Sequence, residues 1–457
     1  MSFRLMVKKL IPAGLFRTVE PFGHLVEAIL ENIYYGFPAR NLKVIGVTGT
    51  AGKTTTSTLI THMLRESGFK VAMMTTIAID YGDGRGAVHN DTRMTSLGSL
   101  KLLQTVKQIK NNKVEWLVLE TTSHALAQHR VWGIPYSIVT FTNLSHDNVD
   151  YHGSFEKYRT AKLKMFTQCN RNYRGFRTGA VNADDPSGKY FAEAIKIPIT
   201  YGLENGTIRA EDIKSNPQES IFHVKTGKTD YDIRLKLPGT FNIYNCLAAI
   251  GVSETAGLTK KQIELSIASL NSVEGRMNSI DEGQDFGVIV DYACTPDSFD
   301  KLFSSVKTLV KGKIICVFGS PGRRDTLKRP IQGEIAGREA DVVVLTEEDD
   351  RDEDGKKIID DIAAGVLKTG KVLNQNLFYI HRREDAVDKA IRLAGAGDLV
   401  LLLGKGEEQV IITNKPGFSA AAGHVFNEAT DTLRRPYNET TVTRASLRKL
   451  KINRGLR

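Results

Sequence analysis

The chain has 457 residues, 41% of them hydrophobic and 25% charged, which is the composition of a folded protein too long for one ordinary core, so two or three domains are expected. Its formal net charge of +10 permits an anionic partner, but much of the excess collects in a tail (Arg434, Arg435, Arg444, Arg448, Lys449, Lys451, Arg454, Arg457) that lacks the interleaved aromatics of a nucleic-acid module and reads as a solvated basic end. Cys169, Cys246, Cys294 and Cys316 are too far apart for a zinc site or a disulfide framework, and Met1 to Leu15 is an amphipathic lead with no signal-peptide or membrane-spanning run, so a cytoplasmic protein without stable membrane insertion is expected.

Residues 1–42 form a short lead segment: a helical pattern runs from His24 to Leu30 and stops near Gly36-Phe37-Pro38. The central domain, 43–271, opens with a strand, Val44-Ile45-Gly46-Val47-Thr48, that breaks into Gly49-Thr50-Ala51-Gly52-Lys53-Thr54-Thr55, where the spacing turns helical. Strand, tight loop and helix N-terminus in succession make a phosphate cradle. Glycines let backbone N–H groups converge on a polyphosphate, Lys53 reaches the β/γ-phosphates, and the Thr54 hydroxyl holds Mg²⁺. The strict pattern wants glycine at 47, where valine stands, so the loop is a variant; a plain strand-to-helix turn is the alternative.

Lys70 to Thr75 is the next strand, and strands alternating with helices to about residue 200 predict a parallel sheet. Trp116 to Leu119 delivers Glu120 at a strand C-terminus, where open α/β folds bind ligands, so Glu120 is placed to coordinate Mg²⁺ opposite Thr54. Thr122 and Ser123 suit helix capping and substrate contact equally. Tyr136 to Phe141 opens into a polar run, Thr142 to Gly153, that reads as a ligand loop; in the helix Tyr158 to Phe166, spacing alone makes Lys162 a surface lysine. Short β stretches, Ser220 to Val224 and Tyr231 to Leu235, precede an alanine-rich helix from which Asn242 or Asn245 can hydrogen-bond an adenine.

The C-terminal domain, 272–457, repeats the α/β grammar and is expected to be Rossmann-like. Strands ending at Asp291, Phe318, Leu345 and Leu403 deliver charged or glycine-rich loops to one edge, where they would line a cleft. Ser320 to Pro330, with Arg323, Arg324, Lys328 and Arg329, reads either as an anion loop beside an acidic one or as a solvated salt-bridge surface.

Taken in order, Gly49-Thr50-Ala51-Gly52-Lys53-Thr54-Thr55, Leu119-Glu120 with Ser123-His124 and Gln128-His129-Arg130, Thr142-Asn143-Leu144-Ser145, Asp150-Tyr151-His152-Gly153, Ala161-Lys162, Gly275-Arg276-Met277, Asp291-Tyr292-Ala293 with Thr295-Pro296-Asp297, Lys328-Arg329-Pro330 and Gly404-Lys405-Gly406 resemble the Mur ligases of peptidoglycan synthesis, over about residues 42–410. The branch most similar adds the third residue of the stem peptide. The resemblance implies an ATP- and Mg²⁺-dependent ligase that activates a peptide carboxylate as an acyl phosphate and lets an amine displace phosphate, with roles in cell-wall biogenesis, cell shape and division, working as a monomer on muramoyl-peptide and amino-acid substrates and not on nucleic acid.

By the same resemblance, Gly49, Thr50, Ala51, Gly52, Lys53, Thr54, Thr55, Asn242, Asn245 and Arg276 contact the nucleotide, and Thr54, Glu120, Asn148 and a carbamylated Lys162 hold magnesium. Lys53, Glu120 and Lys162 are the implied catalytic residues. Thr95, Ser96, Thr122, Gln128 and Arg130 resemble contacts to the muramoyl peptide; Arg324, Glu348, Asp349, Asp350, Arg351, Gly404 and Glu408 resemble contacts to the incoming amino acid. The chain departs from the family in five places. Residues 1–42 give no room for the uridine-gripping N-terminal domain, Asn148 stands for a magnesium-binding histidine, Cys294 and Glu407 replace histidines, and Asp350 replaces the proline of the Asp-Asn-Pro-Arg motif of diaminopimelate-adding members. The retained Arg351 favours meso-diaminopimelate over lysine. Alternatives are a lysine-adding or other Mur-type ligase, a folylpolyglutamate- or cyanophycin-type ligase on the same ATP core, and a degenerate subunit that binds muramoyl intermediates.

Overall fold

The apolar run before the glycine loop forms β1 (Lys43–Thr48), buried from Val44 to Thr48 because parallel strands flank it on both sides. The computed structural model describes residues 13–90, 96–145, 149–215, 219–273, 275–307, 310–414, 425–427 and 432–453. Two units are distinguished: Met1–Ser215 with Glu219–Lys236 and Thr240–Leu270, and Asn271–Arg457 with Asn216–Gln218 and Leu237–Gly239.

In the first unit α1 (Ala13–Tyr35) precedes β1. There follow α2 (Lys53–Glu66), β2 (Val71–Met74), β3 (Ala78–Asp80), β4 (Val88–His89), α3 (Ser99–Asn111), β5 (Trp116–Glu120), α4 (Ser123–Ala127), β6 (Tyr136–Phe141), α5 (Val149–His152) and α6 (Phe155–Asn170). Next come β7 (Thr178–Asn182), α7 (Gly188–Glu193), β8 (Ile197–Gly202), β9 (Ile208–Ser215), β10 (Ser220–Lys225), β11 (Tyr231–Leu235), α8 (Thr240–Ala256) and α9 (Lys260–Ser269). The eleven strands of the described residues make one sheet in the order β11-β10-β9-β8-β7-β6-β1-β5-β2-β3-β4. Its middle, β9 to β2, is parallel, and antiparallel strands extend both ends. Strand order reverses around β1, which lies between β5 and β6, with Val47 opposite Glu120 and Thr48 opposite Phe141. The glycine loop, Glu120 and Thr142 therefore leave the sheet at one edge, the topological switch point where such sheets bind ligands. The stretch 220–235 extends this sheet: Tyr231, Ile233 and Leu235 are buried while Asp232 and Arg234 between them are exposed.

In the second unit, β12 (Asn278–Ser279), β13 (Gly287–Asp291), α10 (Pro296–Lys307), β14 (Ile314–Phe318), α11 (Lys328–Glu339), β15 (Val342–Leu345), α12 (Gly355–Leu367), β16 (Leu377–Tyr379), α13 (Arg383–Leu393) and β17 (Leu399–Leu403) build a sheet in the order β12-β13-β17-β14-β15-β16, parallel except for β12. A small antiparallel sheet of β18 (Val410–Asn414), β19 (Val425–Asn427) and β20 (Thr432–Pro436) follows, and α14 (Glu439–Asn453) packs Leu447 into the core made by Val288, Val317 and Leu402. As far as residue 453 the basic end is thus structured rather than merely solvated, while Arg454 and Arg457 lie outside the described residues. Arg435 pairs with Glu347 and Glu384, and Arg444 and Arg448 both pair with Glu282. At the head of α14, Glu439 meets Arg383 at 2.8 Å with neither side chain exposed, a pair whose single removal would strand a buried charge.

Candidate active site

In the first unit the loop after β1 is moored before it can hold anything. Thr142 Oγ1 and Asn143 Nδ2 donate to the Ala51 carbonyl at 2.6 and 3.0 Å, and the Ala51 N–H donates to Asn143 Oδ1 at 2.9 Å. The Ser145 N–H donates to Thr50 Oγ1 at 3.1 Å, and Thr50 Oγ1 meets the Tyr158 hydroxyl at 3.1 Å. Two glycines allow the approach: a Cβ on Gly49 would lie 1.9 Å from Thr142 Oγ1, and one on Gly52, whose φ is +81°, would lie 2.3 Å from Asn245 Oδ1. Gly52 is the N-cap of α2 and gives it no side-chain cap, so the first-turn N–H groups of a 14-residue helix are left to a ligand.

Beside that helix end lies Glu120, 1% exposed at the end of β5. Its Oε2 accepts from Thr54 Oγ1 at 3.0 Å and from the Thr76 N–H at 3.1 Å, and its Oε1 accepts from Thr76 Oγ1 at 3.1 Å with Lys53 Nζ at 3.9 Å. Lys53 also donates to the Thr50 carbonyl at 2.8 Å. A buried carboxylate and a hydroxyl side by side are hard oxygen donors, and their chemistry fits Mg²⁺. Asn148, together with its neighbour His146, lies outside the described residues, as does Thr95.

Lys162 is not a surface lysine: it is 2% exposed, donates to the Gly49 carbonyl at 2.8 Å and lies 4.8 Å from the Tyr158 ring centroid. Tyr158, Ala161, Met165 and Cys169 form the buried stripe of α6, and a lysine four residues after Tyr158 falls on it. Asn242 and Asn245 are buried and joined at 3.1 Å, and Thr56 Oγ1 donates to Asn245 Oδ1 at 3.3 Å, which puts this amide beside the glycine loop.

Ser96, Thr122 and Arg130 are brought together at the end of β5. Ser96 Oγ accepts from the Thr122 N–H at 3.1 Å, and the Ser96 carbonyl accepts from Arg130 Nη1 at 3.2 Å. Thr122 also caps α4, its hydroxyl accepting from the Ala125 N–H at 3.2 Å, and Ser123 meets His152 Nε2 at 3.0 Å. Gln128 donates to the Tyr151 hydroxyl at 2.8 Å.

In the second unit, Arg276 lies with its guanidinium 5.0 Å from the Tyr292 ring centroid, on a turn pinned by Asp291, which accepts from the Met277 and Ala293 N–H groups at 2.8 and 2.7 Å. The cation-rich loop splits into different fates. Arg329 is fully buried against Glu353 at 2.8 Å and Asp361 at 2.9 Å, Lys328 donates to the Cys294 carbonyl at 2.8 Å, Arg323 pairs with Asp352, and Arg324 is exposed. Lys405, to which its Gly-Lys-Gly motif assigned no role, is a hub: fully buried, it holds Asp349 at 3.0 Å and pairs with Glu408. Asp349 also accepts the Ile412 N–H at 2.9 Å. Arg351 adopts φ +58° and donates its N–H to the Ile412 carbonyl at 3.0 Å.

Glu348 is 7% exposed, and a Cβ on Gly404 would lie 2.6 Å from its Oε2. Burial pushes its carboxyl up from the usual 4.5 to about 7, against the pull of Lys328, Lys405 and Arg383. A carboxyl raised on folding binds its proton more tightly in the folded state. Its stabilisation is therefore full below about pH 4.5 and lost as pH rises through about 7. Glu348→Gln, which cannot ionise, is expected to gain stability over the parent by on the order of 2 kcal/mol at pH 8 and little at pH 5. Paired thermal melts at the two pH values check this; equal differences at both would refute it.

A family model described as "Mur ligase middle domain" matches residues 47–253, and one described as "Mur ligase, glutamate ligase domain" matches 275–406. The chain is 40% identical over 386 residues to a UDP-N-acetylmuramoyl-L-alanyl-D-glutamate--2,6-diaminopimelate ligase of Geobacillus kaustophilus, covering 83% of this chain and 77% of that protein. It is 38% identical over 404 residues to a UDP-N-acetylmuramyl-tripeptide synthetase of a Roseiflexus species, covering 86% and 79%. A solved structure of a ligase with the same name as the Geobacillus protein superposes with a TM-score of 0.60 at 27% identity, covering 90% of this chain and 79% of the other. With both domains matched and identity of this extent, the chain belongs to the Mur ligase family, ATP-dependent enzymes that form amide bonds in peptidoglycan precursor synthesis.

Proposed function

We propose that the enzyme adds meso-diaminopimelate to a UDP-N-acetylmuramoyl dipeptide. A carboxylate oxygen of the peptide attacks the γ-phosphorus of ATP, ADP leaves, and the acyl phosphate so formed is attacked at its carbonyl carbon by the amino acid's free amine. The C–N bond forms as the C–O bond to phosphate breaks, and the amine loses its proton. The observation that carries the first step is Glu120, buried at the end of β5 and engaged by Thr54, Thr76 and Lys53 beside the uncapped start of α2.

In this reading the α2 N-terminus, Gly49, Thr50, Ala51, Gly52 and Thr55 hold the phosphates, and Lys53 stabilises charge on the transferred phosphoryl group. Thr54, Glu120, Asn148 and a carbamylated Lys162 hold Mg²⁺, which when bound neutralises phosphate charge. Asn242, Asn245 and Arg276 serve the nucleotide; Thr95, Ser96, Thr122, Gln128 and Arg130 serve the muramoyl peptide. For the amino acid, Arg324 and Arg351 supply cations to carboxylates, and Glu348, Asp349, Glu408 and the backbone at Gly404 frame the ammonium groups. The Asp350 carboxylate is engaged by His381 at 2.7 Å. The name of the Geobacillus relative supports the diaminopimelate assignment, and the tripeptide synthetase name of the Roseiflexus relative supports the dipeptide acceptor. Domain bounds of 43–271 and 272–457, a monomeric state and a cytoplasmic site, with consequences for cell shape and division, complete the proposal. None of the four cysteines is in a disulfide, and among the described residues no helix is long and apolar enough to cross a membrane.

Competition between meso-diaminopimelate and L-lysine at fixed ATP and acceptor, followed by phosphate release, tests the reading. The diamino diacid is expected to show the higher kcat/KM. Arg351→Ala, by removing one bidentate partner, is expected to narrow the gap by roughly 10- to 100-fold, chiefly by harming diaminopimelate. A preference for lysine in the parent enzyme would overturn the amino-acid assignment.

A further inference from the structure

The residue before Arg351 is held from several sides. Asp350 is 3% exposed, and its Oδ2 meets His381 Nε2 at 2.7 Å. Thr346 Oγ1 and the Glu347 N–H both donate to the His381 carbonyl at 3.0 Å, and the Ile380 N–H donates to the Leu345 carbonyl at 2.9 Å, so the two segments are stitched along their backbones. Two glycines make the space. A Cβ on Gly355 would lie 2.2 Å from Asp350 Oδ2 and 2.3 Å from His381 Nε2, which would split the pair; one on Gly322 would lie 2.1 Å from the Asp350 carbonyl oxygen. Asp350 is thereby fixed through side chain and main chain together, and its carbonyl also accepts the Glu353 N–H at 3.0 Å. Arg351 follows it at φ +58°, a conformation that a long side chain keeps only where the surroundings impose it.

We propose that His381, acting through Asp350, is a positioning residue for Arg351: the imidazole–carboxylate latch sets the backbone that carries the guanidinium to the amino-acid substrate. This rests on the reading of Arg351 as an amino-acid contact. Among the described residues, the hydrogen bonds and ion pair of His381 go to Thr346, Glu347 and Asp350 and to none assigned to nucleotide or acceptor, so its loss should be felt in one substrate only. The latch also titrates. The hydrogen bond and charge of Asp350, with the charge of Glu347 beside it, hold the imidazole above its ordinary value, against burial and the charge of Arg435 from β20. A raised histidine favours the charged pair, so the ion pair is complete below the ordinary value of 6.5 and is lost as pH rises through the raised one.

The experiment uses the full chain with His381→Ala and His381→Gln, and reads KM for the amino acid that the parent enzyme prefers in competition, alongside kcat and KM for ATP and acceptor. With His381→Ala the amino-acid KM is expected to rise roughly 10-fold while the other constants stay within about 2-fold. In the parent this KM should climb between pH 6 and 9. His381→Gln, which keeps an N–H donor for Asp350 without titrating, should recover most of the affinity and flatten the profile. An unchanged amino-acid KM in His381→Ala, or parallel losses in all three substrates, would overturn the latch. A parent that prefers lysine would instead overturn the diaminopimelate reading, and the latch would stand or fall on the lysine KM.

Discussion

Lys53→Ala is expected to lower ATP turnover in the complete reaction by roughly 10³-fold, about 4 kcal/mol of transition-state stabilisation. The ammonium lies 2.8 Å from the Thr50 carbonyl and 3.9 Å from Glu120, at the start of α2, with the side chain 15% exposed. It is held in place by the loop that it would serve, so little reorganisation is needed when charge develops on the γ-phosphoryl oxygens. The substitution leaves the moorings of the loop intact, because Thr142, Asn143 and Ser145 hold Thr50 and Ala51 without it. Thermal stability should therefore change little. Phosphate release by the two proteins at saturating ATP, acceptor and amino acid is the measurement, and equal turnover would remove the phosphate loop from the mechanism.

The loop was legible in the sequence because its signals are local. Gly49, Gly52, Lys53 and Thr54 fall together at a strand-to-helix junction, although the side chains that crowd the two glycines, Thr142 and Asn245, come from far along the chain. Strand C-termini carrying Glu120 and Asp291 were legible for the same reason: an apolar run ending in a carboxylate has one plausible place in a parallel sheet. What sequence spacing could not supply is the partner of a charge. Arg329 reads as one cation among several, yet it is spent on Asp361, 32 residues further on and on another helix. Asp350 reads as a replacement for a motif proline, and its carboxylate is engaged by His381, 31 positions away. The acids that line the second unit are similarly organised by Lys405, which follows a strand and whose burial no periodicity announces. Such pairings are decided by tertiary packing, where the cost of an unpaired buried charge selects one partner from many.

Lys162 shows both sides of that limit, and it carries the second large expectation. Its position four residues after Tyr158 placed it on the apolar stripe of α6, a signal present in the sequence but outweighed by the usual exposure of lysine. In the structure its Nζ lies 2.8 Å from the Gly49 carbonyl, against the loop that would hold phosphates, and the Tyr158 ring beneath it ties back to Thr50 through its hydroxyl. A cation at this position would repel Mg²⁺. Addition of CO₂ to the amine, with loss of a proton, converts it to a carbamate that offers oxygen ligands in place of positive charge. In bicarbonate the intact mass is expected to rise by one CO₂, and Lys162→Ala is expected to lose roughly 10²- to 10⁴-fold in turnover. Loss in the alanine variant alone would not separate chemistry from packing, because the substitution also removes the bond to Gly49 and leaves a cavity. Lys162→Arg separates them. It retains positive charge and N–H donors but cannot accept CO₂, so it should be as inactive as the alanine variant if the carbamate is the working form. An active arginine variant would assign Lys162 to the ammonium form, and full activity of Lys162→Ala would remove it from catalysis altogether.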